Sequence, residues 1–180
     1  MKKAIKAILL MLTVATAANA QQKIGYLNAQ AILADMTDMK AADSQLEAYA
    51  KQLTAKDSMM VVAFQAKAQK LGEDQQKGLL APIALEAEKK KLEGEKASIE
   101  EFEQKMQQDL AARRKELYQP VLDKVNKAIQ DVAKEQAFTY VVDLTAGSLL
   151  YADEKNDLQN AVRAKLGLPA IAVTPVGGKN

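Results

Sequence analysis

The sequence predicts a mainly α fold with a small β body, in which two long helices fold back as an antiparallel coiled-coil arm. Three observations predict it. Helix formers run almost free of Gly and Pro from Asp38 to about Leu71, and again from about Ile83 to Gln136. Each run repeats an apolar residue every seven positions. Trp is absent and the aromatics are five Tyr and three Phe, too few for a thick core.

The chain opens with Met1-Lys2-Lys3-Ala4-Ile5-Lys6 and an apolar run from Ala7 to Ala17, broken only by Thr13 and Thr16. Ala18-Asn19-Ala20 then offers the small-x-small pattern that signal peptidase needs, so residues 1–20 read as a cleaved secretory signal. The run is too short to span a bilayer as a helix. No Cys follows it, so a lipid anchor is excluded. Removing Lys2, Lys3 and Lys6 leaves 22 basic against 23 acidic residues, a net charge of −1. A near-neutral chain argues against nucleic acid as a partner, because that binding rests on phosphate neutralisation. The absence of Cys means stability without disulfides, and the absence of His removes the commonest general base and zinc ligand. No serine has a base to activate it, so no enzymatic activity, metal or cofactor is expected.

Lys23 to Asn28 reads as a short strand and Ala29 to Ala34 as one helical turn, with Asp35 and Thr37 as turn and capping candidates. The first arm helix follows. Gly72, Gly78 and Pro82 cluster as breakers, placing the arm tip near residues 72–82. The second arm helix is interrupted by Pro120, where a missing donor and a clash with the preceding turn predict a hinge. At 1.5 Å per residue the two helices would be about 50 and 80 Å long.

Met39, Leu46, Leu53 and Met60, continued by Phe64 and Leu71, form one apolar series. Leu85, Leu92, Ile99 and Met106, continued by Leu110 and Leu117, form the other. Folding back at Gly78 pairs Met39 with Leu117, Leu46 with Leu110, Phe64 with Leu92 and Leu71 with Leu85. The positions between are largely charged, so the seam should be thin.

Beyond the arm, Phe138 to Asp143 has high β propensity, Thr145 to Ser148 turns, and Leu149-Leu150-Tyr151 reads as a further strand. Asp153 should cap a final helix from about Glu154 to Leu166, stopped by Gly167. Residues 168–180, with two prolines and Gly177-Gly178, read as a flexible tail. The domain plan is thus a β/α body from 21–37 and 118–167 carrying an arm from 38–117. Strands this short do not form a core alone. Completing them between subunits predicts an oligomer held through Ile24, Tyr26, Leu27, Tyr140, Val141, Val142, Leu149 and Tyr151.

Lys23-Ile24-Gly25-Tyr26-Leu27-Asn28, Phe102-Glu103-Gln104, and Val132 to Gln136 leading into Tyr140-Val141-Val142-Asp143 together resemble the Skp/OmpH family of periplasmic chaperones, over about Lys23 to Leu166. The resemblance implies a jellyfish-like homotrimer with a β body shared by three chains. Three hairpin arms would enclose unfolded outer-membrane β-barrel proteins without ATP, in the periplasm. Transient contact with the membrane surface is a further expected partner. One departure stands out: between Asp38 and Glu135 there are 17 basic and 18 acidic residues, whereas the family's best-known member is strongly basic. A basic lipopolysaccharide patch proposed for the family falls near Gln108 and Asp109 and does not carry over.

Lys89-Lys90-Lys91 and Arg113-Arg114-Lys115 are flanked by Glu and read as solvated faces. Asp153 to Asp157 lacks the spacing and glycine of a calcium loop and reads as a helix start. Met59 to Phe64 is six apolar residues in a row, more than one seam buries, opposite a segment that includes Glu93, Gly94, Glu95 and Lys96. Met59, Met60, Val61, Val62 and Phe64, with Met106 placed nearby, are the candidate client-binding residues; a locally fatter seam is the alternative. A holdase for unfolded envelope proteins suits scattered, adaptable Met. A structural or adaptor coiled coil would instead show a continuous, well-filled stripe for one folded partner.

Overall fold

A computed structural model of the chain describes residues 22–147 and 149–172. The expected signal segment of residues 1–20, Ser148 and residues 173–180 of the expected tail lie outside the described residues. The elements run β1 (Ile24–Leu27), α1 (Ala29–Asp35), α2 (Thr37–Gln76), α3 (Pro82–Glu135), β2 (Tyr140–Asp143), a 3-10 turn (Leu144–Ala146), a second 3-10 turn (Glu154–Asn156) and α4 (Gln159–Lys165). Two compact units result. One joins the chain before Thr37 to the chain after Val121, and the other is Thr37–Val121.

The first unit is built on a two-stranded parallel sheet in which Ile24 pairs with Tyr140 and Leu27 with Asp143. The other edge of β1 meets residues 157–158: Tyr26 bridges Asp157, and Leu158 N–H donates to Tyr26 O at 2.9 Å. Leu27, Ile32, Leu158 and Val162 are at most 1% exposed and form the core. Val125, Ala128 and Val132 add one buried stripe of α3 at helical spacing.

Polar groups close this unit. Gln159 uses both ends of its amide on Asn28, accepting from its N–H at 2.8 Å and donating to its carbonyl at 3.3 Å. Arg163, 1% exposed, donates to Asp35 at 2.6 Å and to the Pro169 carbonyl at 2.7 Å. A buried guanidinium needs such partners, because an uncompensated charge there is strongly destabilising. Asp143 accepts from Thr145 and from Ala29 N–H. Burial pushes its carboxyl up, and these hydrogen bonds outweigh that, leaving it below the usual range.

The body corrects the sequence reading in two places. Leu149 to Tyr151 is not a strand, and Leu150 and Tyr151 are 88% and 76% exposed. Both edges of β1 are already taken, and among the described residues nothing pairs with the outer edge of β2. The expected helix from Glu154 divides because Asp157 is extended, at φ −75° and ψ 119°, to bridge Tyr26. Asp153 caps only the 3-10 turn, and the Asp157 carboxylate accepts from Gln159 N–H at 2.6 Å to start α4. Residues 168–171 of the expected tail carry hydrogen bonds: Asn160 exchanges two with Ile171, and Arg163 holds Pro169.

In the second unit, α2 passes through Gly72 and ends in a Schellman closure. Leu79 N–H donates to Asp74 O at 2.9 Å, with Gly78 at φ +65°. Pro82 begins α3, where its missing donor would be unpaired anyway. The sequence reading places a bend at Pro120, and α3 is helical on both sides of it. At its far end Phe138 N–H donates to Ala133 O at 2.8 Å, which puts Ala137 at φ 56°.

Two substitutions test these constraints in opposite directions. A Cβ on Gly25 would sit 2.1 Å from Leu158 Cδ1 and 3.0 Å from Phe138 Cδ1, and Leu158 is fully buried. Gly25→Ala should therefore lower stability by about 2 kcal/mol in urea unfolding, and an unchanged midpoint would show that Leu158 can retreat. Ala137→Gly should raise stability by about 1 kcal/mol in the same assay by relieving the left-handed backbone. A lower midpoint would refute that account.

Candidate functional site

The second unit holds the candidate client-binding residues, and its geometry follows from how α2 and α3 meet. Tyr118 donates its hydroxyl to Asp43, and Lys67 pairs with Glu95, so low numbers in α2 meet high numbers in α3. Lys56 Nζ lies 4.7 Å from the centre of the Phe102 ring. The seven-residue series are the residues half-withdrawn from water: Met39, Leu46, Leu53, Met60, Phe64 and Leu71 on α2, and Leu85, Leu92, Ile99, Met106, Leu110 and Leu117 on α3.

The pairing differs in detail from the sequence register, which sets Lys67 against Lys89 rather than Glu95. Side chains on a helix lean toward its own N-terminus. On two helices running oppositely they lean past each other, so long side chains meet several residues beyond the backbone register.

None of those twelve is fully buried. Clefts open between the helices instead. One of about 430 Å³ is lined by Leu46, Ala50, Leu110 and Ala111, with Asp43, Glu47, Gln107 and Arg114 around it. Another of about 440 Å³ includes Leu71, Leu80 and Leu92 among Lys and Glu side chains. A third of about 200 Å³ lies against Met60, Ala63 and Ile99. Asp57, half-buried within the seam, has one carboxylate oxygen fully covered with no hydrogen-bond partner among the described residues.

The candidates divide by exposure. Met59 and Val62 are 66% and 63% exposed, while Met60, Val61 and Phe64 are half-buried. Only Met60 of these lines the third cleft. Met106 is not brought to it: it stands seven residues beyond Ile99, about 10 Å along α3.

The body candidates divide too. Tyr26 and Leu27 are 2% and 1% exposed, inside this chain's own core. Ile24, Tyr140 and Tyr151 are exposed, whereas Val141, Val142 and Leu149 are half-buried. The Tyr26 hydroxyl is covered and has no hydrogen-bond partner among the described residues; burial, then the charges of Asp157, Glu154 and Asp153, push its ionisation above the ordinary range.

Three residues of the basic runs pair locally. Lys89 pairs with Glu86, Lys91 with Glu88 and Arg113 with Glu116. Among the described residues no group of His, Cys, Asp or Glu is arranged to hold a metal. No helix among them is long and apolar enough to cross a membrane.

Over residues 23–166 the sequence matches the family described as Outer membrane protein (OmpH-like). The chain belongs to the Skp/OmpH family. An OmpH-like crystal structure from Caulobacter crescentus, described as that of an outer membrane chaperone, agrees at a TM-score of 0.69 and 20% identity. The alignment covers 88% of this chain and 93% of that one, and the likeness establishes the fold. No curated protein sequence matches this one.

In this OmpH-like arm, Asp57 was hidden from sequence reasoning, because a charged residue between Leu53 and Met60 reads as a solvated position. Asp57→Leu should raise the thermal midpoint, by removing an unpartnered carboxylate oxygen and adding about 1–2 kcal/mol of apolar burial. A lower midpoint would mean that the carboxylate stabilises the seam.

Proposed function

We propose that this protein is an ATP-independent holdase. In this reading it keeps unfolded outer-membrane β-barrel proteins from aggregating in the periplasm, which it reaches by a signal cleaved after Ala20. The observation that carries the reading is the arm's surplus of open apolar surface. Its seam residues stay half-exposed along both helices, and Met59 and Val62 stand outside the seam altogether. Family membership supports it, as does the description of the Caulobacter crescentus protein as an outer membrane chaperone. An unfolded β-barrel chain exposes alternating apolar side chains and has no fixed shape. Met meets such a surface with little strain, because its unbranched side chain adapts.

The working assembly in this proposal is a homotrimer whose arms surround the client. Ile24, Tyr140 and Tyr151, exposed in one chain, are the subunit contacts, and Tyr26 and Leu27 support them from within. Three arms multiply weak contacts through effective concentration, which combines retention with fast local release. Pro120 serves as a hinge by removing one helical hydrogen bond. No step requires catalysis, a metal or a cofactor.

Replacing Met59, Val61 and Val62 together with Gln tests the site. Helicity by circular dichroism and mass by light scattering should be unchanged. Retention of a urea-unfolded outer-membrane β-barrel protein should weaken at least several-fold in a sedimentation assay. Full retention with the fold intact would make the patch a packing feature.

A further inference from the structure

The arm has a second face that the seam does not use. On α2, Ala41, Ala48, Ala55 and Val62 recur every seven residues, with Gln45, Gln52 and Met59 between them. All seven are exposed. At 100° per residue they fall in a band about 100° wide, centred about 140° round the helix from the seam. Lys51 and Lys56 flank this band about 70° from its centre, and no other Asp, Glu, Lys or Arg between Ala41 and Ala66 comes as near. The face of α3 that points away from its own seam is different, carrying Lys90, Glu101, Lys105 and Lys115, all exposed. One helix of the arm is therefore charged on its back and the other is not.

We infer that this uncharged face of α2 is the wall along which an unfolded β-barrel segment lies in extended form; the inference rests on the holdase reading above and extends the client surface from the Met59 cluster to about Ala41–Ala66. Area decides against a fixed partner. The face is about 38 Å long and about 10 Å wide, or about 400 Å², half of the roughly 800 Å² per side that a stable protein interface buries. A second copy or a folded adaptor held there alone would dissociate. Charge decides for the client: the lipid-facing residues of a barrel strand are uncharged, and such a strand meets no desolvated Lys or Glu on this face. The small Ala side chains let an extended backbone approach closely. Gln45 and Gln52 offer a donor and an acceptor each to the backbone groups that an unfolded strand leaves unpaired. Met59 and Val62 then supply the apolar contact. Because the face is a line rather than a pocket, it accepts any uncharged segment in many registers.

The chain has no cysteine, so single-cysteine variants report position cleanly. Ala48→Cys and Gln108→Cys place a benzophenone label on the backs of α2 and α3 respectively. Each is mixed with a urea-unfolded outer-membrane β-barrel protein and irradiated. Crosslinks to the client should be at least fivefold more abundant from position 48 than from position 108. In parallel, Ala41→Glu with Ala48→Glu and Ala55→Glu should weaken client retention at least tenfold. Three equal charges at Gln104, Gln108 and Ala112 should change it less than twofold. Glu is a good helix former and all six sites are exposed, so circular dichroism should not change. Equal crosslinking from both positions, or equal loss from both triple variants, overturns the inference. So do crosslinks from position 48 that join only copies of this chain, or a folded partner in place of the client. If the unaltered protein retains the client and position 48 stays silent, the inference alone falls. If the unaltered protein fails to retain it, the holdase reading falls first and takes the inference with it.

Discussion

Four parallel pairs between β1 and β2 close a loop of more than a hundred residues, and the body depends on that closure. A parallel pair cannot be joined by a tight turn, so the chain between its strands must travel out and back. The entropy of closing a loop grows only with the logarithm of its length, so a long arm costs little more than a short one. Yet four pairs are a weak clasp. What secures them is the segment after β2: Leu158 fills the space beside Gly25, Gln159 binds the backbone of Asn28, and Arg163 binds Asp35. The clasp is therefore made of the segment before α2 and the segment after β2, which pack tightly at Gly25.

The arm obeys a different constraint. Two helices with one apolar residue per heptad cannot close their interface, and the clefts beside Leu46, Leu71 and Met60 are the result. Asp57 adds an unpartnered oxygen where another seam would place Leu. The ion pairs along the arm sit on exposed side chains, and pairs of that kind contribute about 0–1 kcal/mol each. The arm is thus cohesive through helix formation more than through packing between its helices.

The long helices were legible because a seven-residue period carried over thirty residues has few other readings. All twelve residues of the two series are half-buried, and Gly78, Pro82 and Gly167 punctuate the chain as their backbone preferences require. The body was less legible. Leu149 to Tyr151 has strand-like side chains, but β1 is closed to it because Asp157, which reads locally as helix, takes that edge. Ala137 in the left-handed region is invisible to propensity, since its φ is imposed by the turn between α3 and β2. Of the candidate site, the exposure of Met59 and Val62 followed from six apolar residues in a row. The place of Met106 did not, because the fold-back pairing itself sets Met106 opposite Ala50, ten residues short of Met60.

The parallel sheet has a consequence in time. Synthesis runs from the N-terminus, so β1 is made early and its partner Tyr140–Asp143 more than a hundred residues later. At 5–20 residues per second that delay is on the order of ten seconds. Helices α2 and α3 can form during it, since their hydrogen bonds are local. The apolar residues of β1 and α1, with Leu27 and Ile32 foremost, must wait for Leu158 and Val162 to cover them. Until Leu158 and Val162 are made, this chain carries a bare hydrophobic segment at one end, as an unfolded client does.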